Sequence, residues 1–139
     1  QPPDLAVDKV MAGMTNLVIV VNNAGQFYIP NVINSIGNLD LTQGYKIYCS
    51  AADQLSFQGT QVPKSTPIQL AAGWNFIAYF PNSPMNVQTA LASVVANLAI
   101  AKDDTGNFFI PGIINTLGNM MPGKGYKLYM NQAGSLVYP

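Results

Sequence analysis

The sequence predicts an α+β fold, mostly antiparallel β with two short helices, built as a tandem duplication with pseudo-twofold symmetry. Two observations lead to this fold class. Residues 16–57 match residues 97–138 at 17 of 42 positions without a gap. Within each copy, short apolar runs alternate with turns rich in Gly, Asn, Asp and Pro, as in hairpins, and one amphipathic stretch precedes them.

A helix is predicted at the start of each copy. In the second copy Ser83 is the expected N-cap and Pro84 takes the first helical position. Apolar residues then recur at helical spacing over about three turns, at Val87, Leu91, Val94 and Val95. The corresponding helix of the first copy spans residues 4–14, where Gly13 lowers the helix propensity.

Four strands are predicted after each helix. They are residues 17–21, 27–29, a strand starting at Gly44, and 55–57 in the first copy, and residues 98–101, 108–110, a strand starting at Gly125, and 136–138 in the second. Alternation along the Gly44 strand places Tyr45, Ile47 and Cys49 on one face and Lys46 and Tyr48 on the other. Cys49 is therefore predicted to be a core thiol.

One segment, residues 66–80, occurs only once. It is predicted to form two strands with a tight turn, or one bent strand, with Trp74 near the turn and in the core. Its counterpart in the first copy would fall before residue 1. The chain thus divides into a first repeat, residues 1–59, which lacks this segment, and a second repeat, residues 60–139; alternatively both form one compact domain.

The missing segment leads to a hypothesis about assembly. If each repeat needs the segment to complete its sheet, the first repeat has an open edge, and open edges pair with other strands. A neighbouring subunit or a flanking segment of a longer protein would then supply the strand. In the alternative interpretation, residues 66–80 lie between the repeats and serve both.

The charge composition excludes several functional classes. Six Lys and six Asp, with no Arg, Glu or His, are the only charged residues, and the formal net charge is zero. Scattered lysines without Arg do not make a nucleic-acid footprint, so no nucleic-acid partner is expected. No apolar run reaches the length of a membrane-spanning helix, so no membrane span is expected.

No catalytic constellation is visible, so the chain is not expected to be an enzyme and no cofactor is expected. There is no His for general acid–base chemistry, and Cys49 has no visible base as partner. Weak candidates for a metal site are Asp103, Asp104 and Asn107, whose oxygens would suit calcium. The first copy has Asn22 and Asn23 in place of the two aspartates, so a turn is the preferred interpretation.

The chain resembles a repeat module of large secreted and cell-surface proteins of Bacteroidota. The resemblance rests on Gly-Trp-Asn-Phe-Ile at residues 73–77 and on Gly-Tyr-Lys-Leu-Tyr at residues 125–129. It departs from the module at Lys46 and Lys127, where the module has a second aromatic residue. The resemblance implies an extracellular location and a non-catalytic role in adhesins, stalks or enzyme appendages. A first residue that is Gln, together with a neutral, Asn-rich composition, led us to expect the same location.

Two functions follow as expectations. The first is an extracellular structural or assembly module that associates with itself or with other segments of a longer chain, by strand exchange at a surface involved in adhesion. The second is a carbohydrate-binding module for a polysaccharide, with exposed aromatic residues as the ligand-binding candidates. These weak candidates are Tyr28, Tyr48, Phe109 and Tyr129.

Overall fold

Antiparallel strands make up most of the regular structure. The computed structural model describes residues 2–139, and in chain order its strands are β1 (Leu17–Val21), β2 (Phe27–Ile29), β3 (Ile33–Asn34), β4 (Lys46–Cys49), β5 (Ile68–Leu70), β6 (Gly73–Ala78), β7 (Met85–Asn86), β8 (Leu98–Lys102), β9 (Phe108–Ile110), β10 (Ile114–Asn115), β11 (Asn119–Met120), β12 (Gly125–Met130) and β13 (Gly134–Leu136). Two short helices, α1 (Val7–Val10) and α2 (Val87–Ala90), accompany them. The predicted class, mostly antiparallel β with two short helices, is therefore confirmed.

The strands form two larger sheets and two small ones. The first sheet has the order β3-β2-β1-β4, and the second has the order β10-β9-β8-β12-β6. The small sheets pair β7 with β11 and β5 with β13. All of these pairs are antiparallel.

Both predicted hairpins form, and their registers correspond. Val20 is opposite Tyr28 in the first hairpin, and Ala101 is opposite Phe109 in the second. The segment of residues 66–80 contains two strands, as predicted. They pair with different partners, however: β5 with β13 and β6 with β12.

The prediction of a three-turn helix after Ser83 was wrong. Helix α2 begins at Val87, where Asn86 is the N-cap and its side chain accepts a hydrogen bond from the Gln88 amide. Residues 85 and 86 instead belong to strand β7, and only a 3₁₀ turn follows at residues 95–97. The helix does not begin earlier because Met85 and Asn86 pair with Met120 and Asn119 in a small sheet. Helix α1 is also shorter than predicted.

The predicted strand at residues 55–57 does not form. In the second half the strand predicted at residues 136–138 is displaced to β13, Gly134–Leu136, where it pairs with β5. No segment equivalent to β5 pairs with residues 55–57 in the described part of the chain. Phe57 is consequently 51% exposed, whereas its counterpart Tyr138 is 2% exposed. A short strand needs a partner for its backbone groups, and here the partner is missing.

The hydrophobic core is unequal in the two halves. In the second half it includes Ile77, Leu91, Met120, Leu128 and Met130, all nearly inaccessible to solvent, among many others. In the first half its buried residues are Val7, Val10, Met11 and Val20. No helix within residues 2–139 is long and apolar enough to cross a membrane.

Candidate functional site

Strand β6 joins the two halves of the chain. Along one side it pairs with all six residues of β12. On its other side, the Gly44 amide donates to the Phe76 carbonyl and the Ala78 amide donates to the Thr42 carbonyl, both at 3.1 Å. The Asn23 side chain also donates to the Trp74 carbonyl at 2.9 Å. The segment therefore contacts both halves, as the second interpretation of the sequence expected.

This contact nevertheless leaves the outer edge of β4 without a strand. Strand β12 has β8 on one side and β6 on the other, whereas β4 has β1 on one side and, within residues 2–139, no strand on the other. Ile47 in β4 is 41% exposed, while its counterpart Leu128 in β12 is fully buried. An edge strand with an exposed aliphatic side chain is a surface to which another strand can be added.

Cys49 lies on the same strand and does not occupy the core position predicted for it. The thiol is free and half-buried, whereas its counterpart Met130 is buried. The core beneath this strand is small, because within residues 2–139 the buried residues of the first half are Val7, Val10, Met11 and Val20. The sequence correctly placed Cys49 on the face that also holds Ile47, but it did not show how little covers that face.

Gly44, two residues before β4, touches Gly125, the first residue of β12. A Cβ atom built on Gly125 would stand 3.2 Å from the Cα of Gly44, so this approach requires residues without side chains. Beside the contact lies an open groove of about 660 Å³. Its walls come from both halves and include Tyr48, Phe76 and residues 123–127.

Three lysines face this groove without a carboxylate partner. They are Lys46 on β4, Lys102 on β8 and Lys127 on β12. The ammonium of Lys46 lies 5.3 Å from the centre of the Phe76 ring and that of Lys127 lies 5.1 Å from it. Lys127 is directly opposite Lys102 in the sheet. The interaction with the ring offsets part of the repulsion between the ammoniums.

The proximity of these charges alters the acidity of one of them. The pKa of Lys127 is lowered from 10.5 to about 8. The main cause is the hydrogen-bonding proximity of the Lys46 side chain, followed by partial burial and by the repulsion from Lys46 and Lys102. A nearby negative charge would have the opposite effect, and an anion in the groove would supply it.

The sequence pattern did not predict the lysine groove, because the six lysines are scattered along the chain. Three of them converge because Gly44 meets Gly125, and residues 81 positions apart give no local sign of that contact. One signal was available. The Gly-Tyr-Lys motif occurs in both copies, and in each copy its glycine is one of the two that touch.

The aromatic candidates divide into exposed and buried residues. Tyr48 is 64% exposed and Tyr129 is exposed, as predicted for the outward face. Tyr28 is half-buried and packs on the core of the first half. Phe109 is buried, because its strand turns this side chain inward and not Phe108, so it does not face a ligand.

Trp74 was predicted to lie in the core, and that prediction was wrong. Its side chain is 45% exposed and meets Tyr129 edge to face, with ring centres 5.3 Å apart. Trp74 is opposite Tyr129 in the sheet, on the face of β6 that points away from the core. The inward positions of β6 are occupied by Asn75 and Ile77.

The weak metal candidates form a hydrogen-bonded turn. The Asp103 carboxylate accepts bonds from the amides and side chains of Thr105 and Asn107, at 2.8–3.0 Å. Asp104 forms an ion pair with Lys124 at 3.3 Å. In the first copy, the Asn22 side-chain oxygen accepts from the amides of Ala24 and Gln26 in the same way. The arrangement is that of a turn, in agreement with the preferred interpretation.

No protein-family model, no curated protein and no solved structure matches this chain. The features of the chain that bear on function are the open edge of β4 and the lysine groove.

Proposed function

We propose that the chain is a non-enzymatic structural and assembly module, located at the cell surface or outside the cell, whose first half is completed by an added β-strand at the outer edge of β4. One observation carries this proposal. Strand β12 has β6 on its outer edge and buries Leu128 fully, whereas β4 has no strand on that edge and leaves Ile47 41% exposed. The same edge is thus occupied in one half and open in the other.

The comparison of the two edges depends on a tandem duplication with approximate twofold symmetry, which is part of the proposal. It is supported by bonds that recur at equivalent positions. The Tyr45 hydroxyl accepts from the Asp40 amide, and the Tyr126 hydroxyl accepts from the Met121 amide, both at 2.7 Å. Such agreement in local contacts is expected of two copies of one unit.

The irregular segment at residues 55–57 supports the same proposal. In the second half, β5 pairs with β13, and β6 pairs with β12, so residues 66–80 contribute two strands. Within residues 2–139, the first half has no strand that corresponds to β5 or to β6. Accordingly, β4 has an open edge and residues 55–57 form no strand. One missing segment accounts for two separate features.

The chemistry of the missing strand follows from β6. By analogy with the pairing of β6 with β12, it would run antiparallel to β4 and lie opposite residues 46–49, beyond the point where Gly44 is bonded to β6. Backbone hydrogen bonds would supply affinity and the alternate inward side chains would supply specificity. A flanking segment of a longer protein or a neighbouring chain would be its source.

A synthetic peptide of residues 66–80 tests this proposal. Added to the purified chain, it should bind, slow amide exchange along β4 and raise the melting temperature in proportion to its concentration. The matched control is the same peptide with Leu70→Asp and Ile77→Asp, which removes the inward aliphatic groups. Failure of the unaltered peptide to protect β4 amides would contradict the proposal.

The source of the strand is tested separately. If a neighbouring chain supplies it, the purified chain should form larger species on size exclusion and in electron micrographs as concentration rises. If a flanking segment supplies it, the chain should stay monomeric, and fusing residues 66–80 ahead of residue 1 should stabilise it. An unstabilised fusion that remained monomeric would exclude both sources.

Carbohydrate binding is the second candidate function. It is supported by the outward aromatic side chains, chiefly Tyr48 on β4 and the pair of Trp74 and Tyr129. Exposed aromatic rings provide flat apolar surface for ligands. A polysaccharide pull-down with the wild-type chain and with Tyr48→Ala tests it, and equal retention of both proteins would count against Tyr48.

A further inference from the structure

The groove between the two halves combines three observations that do not concern strand addition. It is concave, it contains three ammoniums without carboxylate partners, and it includes an exposed aromatic ring, that of Tyr48. Within residues 2–139 the one ion pair is Lys124 with Asp104, and both residues line this groove. Lys46, Lys102 and Lys127 therefore form no ion pair with Asp103 or Asp104, the two aspartates that also line the groove.

Lysine is more concentrated in this groove than in the rest of the chain. Four of the six lysines line one groove, together with two of the six aspartates, although the net charge of the chain is zero. Two like charges directly opposite each other in a sheet are destabilising. The first half shows that the fold does not require such a pair, because Lys46 is opposite Val21 where Lys127 is opposite Lys102.

From this geometry we propose that the groove is a binding site for an oxyanionic ligand, one that carries carboxylate, sulfate or phosphate groups. The ammoniums of Lys46 and Lys127, held on one Phe76 ring, and that of Lys102 on the neighbouring strand bind the oxygens of these groups. The low-dielectric walls of a concave site strengthen such contacts relative to those on a flat surface.

The same ligand chemistry has two sources, a free small anion and an anionic group on a sugar. The lysines bind both alike. Tyr48 distinguishes them, because its exposed ring lies on the groove wall and offers an apolar surface to a sugar ring but not to a free ion.

Calorimetric titration of the full chain tests the proposal. The probes are sodium sulfate, sodium citrate, an oligogalacturonate and its neutral galactose counterpart, at constant ionic strength. Lys102→Val, which copies Val21 of the first half, and Lys127→Met should each weaken anion binding at least tenfold. Lys9→Met, on helix α1 and away from the groove, is the control for the loss of one charge and should bind as wild type does.

The outcomes show whether the site exists and whether its ligand is a free anion or an anionic sugar. Binding of sulfate and citrate that Tyr48→Ala leaves unchanged supports a free anion. Binding of the oligogalacturonate alone, weakened by Tyr48→Ala, supports an anionic sugar. The proposal is overturned if no oxyanion binds, if an acidic peptide alone binds, if the neutral sugar binds equally well, or if Lys9→Met weakens binding as much as Lys102→Val.

Discussion

Gly44 and Gly125 meet at the junction of the two halves, where a Cβ atom built on Gly125 would stand 3.2 Å from the Cα of Gly44. A Cβ on Gly44 would come even closer to its surroundings, at 2.7 Å from the carbonyl oxygen of Ile77. That oxygen belongs to the backbone of β6, which pairs with β12 along its full length and cannot swing aside. The contact thus couples the two sheets through main-chain atoms.

Replacing Gly44 by alanine should therefore destabilise the chain. We expect Gly44→Ala to lower the free energy of unfolding by about 1–3 kcal/mol, the usual cost of overpacking. Gly125→Ala should cost less, because its nearest atom would be 3.2 Å away. Urea denaturation measures both.

The matched control is Gly13→Ala. No atom would lie within 4 Å of the new Cβ, so the substitution should cause no clash. It should be neutral, or should stabilise the chain by up to about 1 kcal/mol, because alanine reduces the conformational entropy of the unfolded chain. A Gly44→Ala variant as stable as Gly13→Ala would contradict the close approach of the two halves.

Ile47 and Leu128 are aligned in the sequence match of the two halves but should respond differently to truncation. Leu128→Ala empties a fully buried site, so it should cost about 2–5 kcal/mol. Ile47→Ala removes a side chain that is 41% exposed, so we expect a loss below about 1 kcal/mol. Equilibrium unfolding of the two variants measures the difference. Equal losses would show that the outer edge of β4 is covered in solution.

The same pair shows what sequence reasoning could and could not predict. Strand positions such as residues 17–21 were predictable because apolar periodicity and turn residues are local signals. The strand predicted at residues 55–57 was wrong because strand formation there depends on a partner that only the second half possesses. Local pattern identifies a segment suited to a strand, but pairing decides whether it becomes one.

The candidate sites also divide into those that local sequence predicts and those that depend on tertiary contacts. The turn at Asp103 was predictable, since Gly, Asp and Asn at close spacing form turns through their own side chains. The outward position of Trp74 was not, because a Gly-Trp-Asn run does not reveal which face of β6 meets the core. The lysine groove depends on the contact of Gly44 with Gly125, which is a tertiary feature.

Asp103→Asn should preserve the second hairpin turn, while Asp103→Ala should lose about 1 kcal/mol of stability. Asparagine keeps the acceptor oxygen, and Asn22 already bonds two amides at the equivalent turn. Urea denaturation at pH 7 measures both variants. Adding calcium should leave the melting temperature of the wild type unchanged, and a calcium-dependent rise that Asp103→Asn abolishes would contradict the turn interpretation.

The acid dependence of Asp103 gives a second readout of that turn. Partial burial alone would raise the pKa of Asp103, but the hydrogen bonds from Asn107 and Thr105 outweigh it and lower the pKa below its ordinary value of 3.8. The charged form is thus favoured in the folded chain. Its contribution should be present above pH 3.8 and lost as pH falls through the lower folded value, so wild type and Asp103→Asn should converge in stability under strong acid.

Lys127→Met should stabilise the chain at pH 7 in the absence of a ligand. The pKa of Lys127 is about 8 in the folded chain, against 10.5 as its ordinary value, so between these values the unfolded chain binds more protons and wild-type stability rises with pH. Below pH 8 Lys127 is charged in the folded chain as well, so its repulsion lowers the free energy of unfolding by its full amount. Because the side chain is partly exposed and screened, we expect the gain from Lys127→Met to be about 0.2–1 kcal/mol.

This gain should shrink as pH rises from 8 towards 10.5, because the wild-type lysine then loses its charge in the folded chain first. The other titratable groups lining the groove are Tyr45, Lys46, Tyr48, Lys102, Asp103, Asp104, Lys124 and Tyr126. Since both proteins retain all of them, the difference between the two isolates Lys127. The measurement is the free energy of unfolding at pH 7, 8.5 and 10, with Lys9→Met as the control. A difference independent of pH would mean that Lys127 is not close to Lys46 and Lys102 in solution.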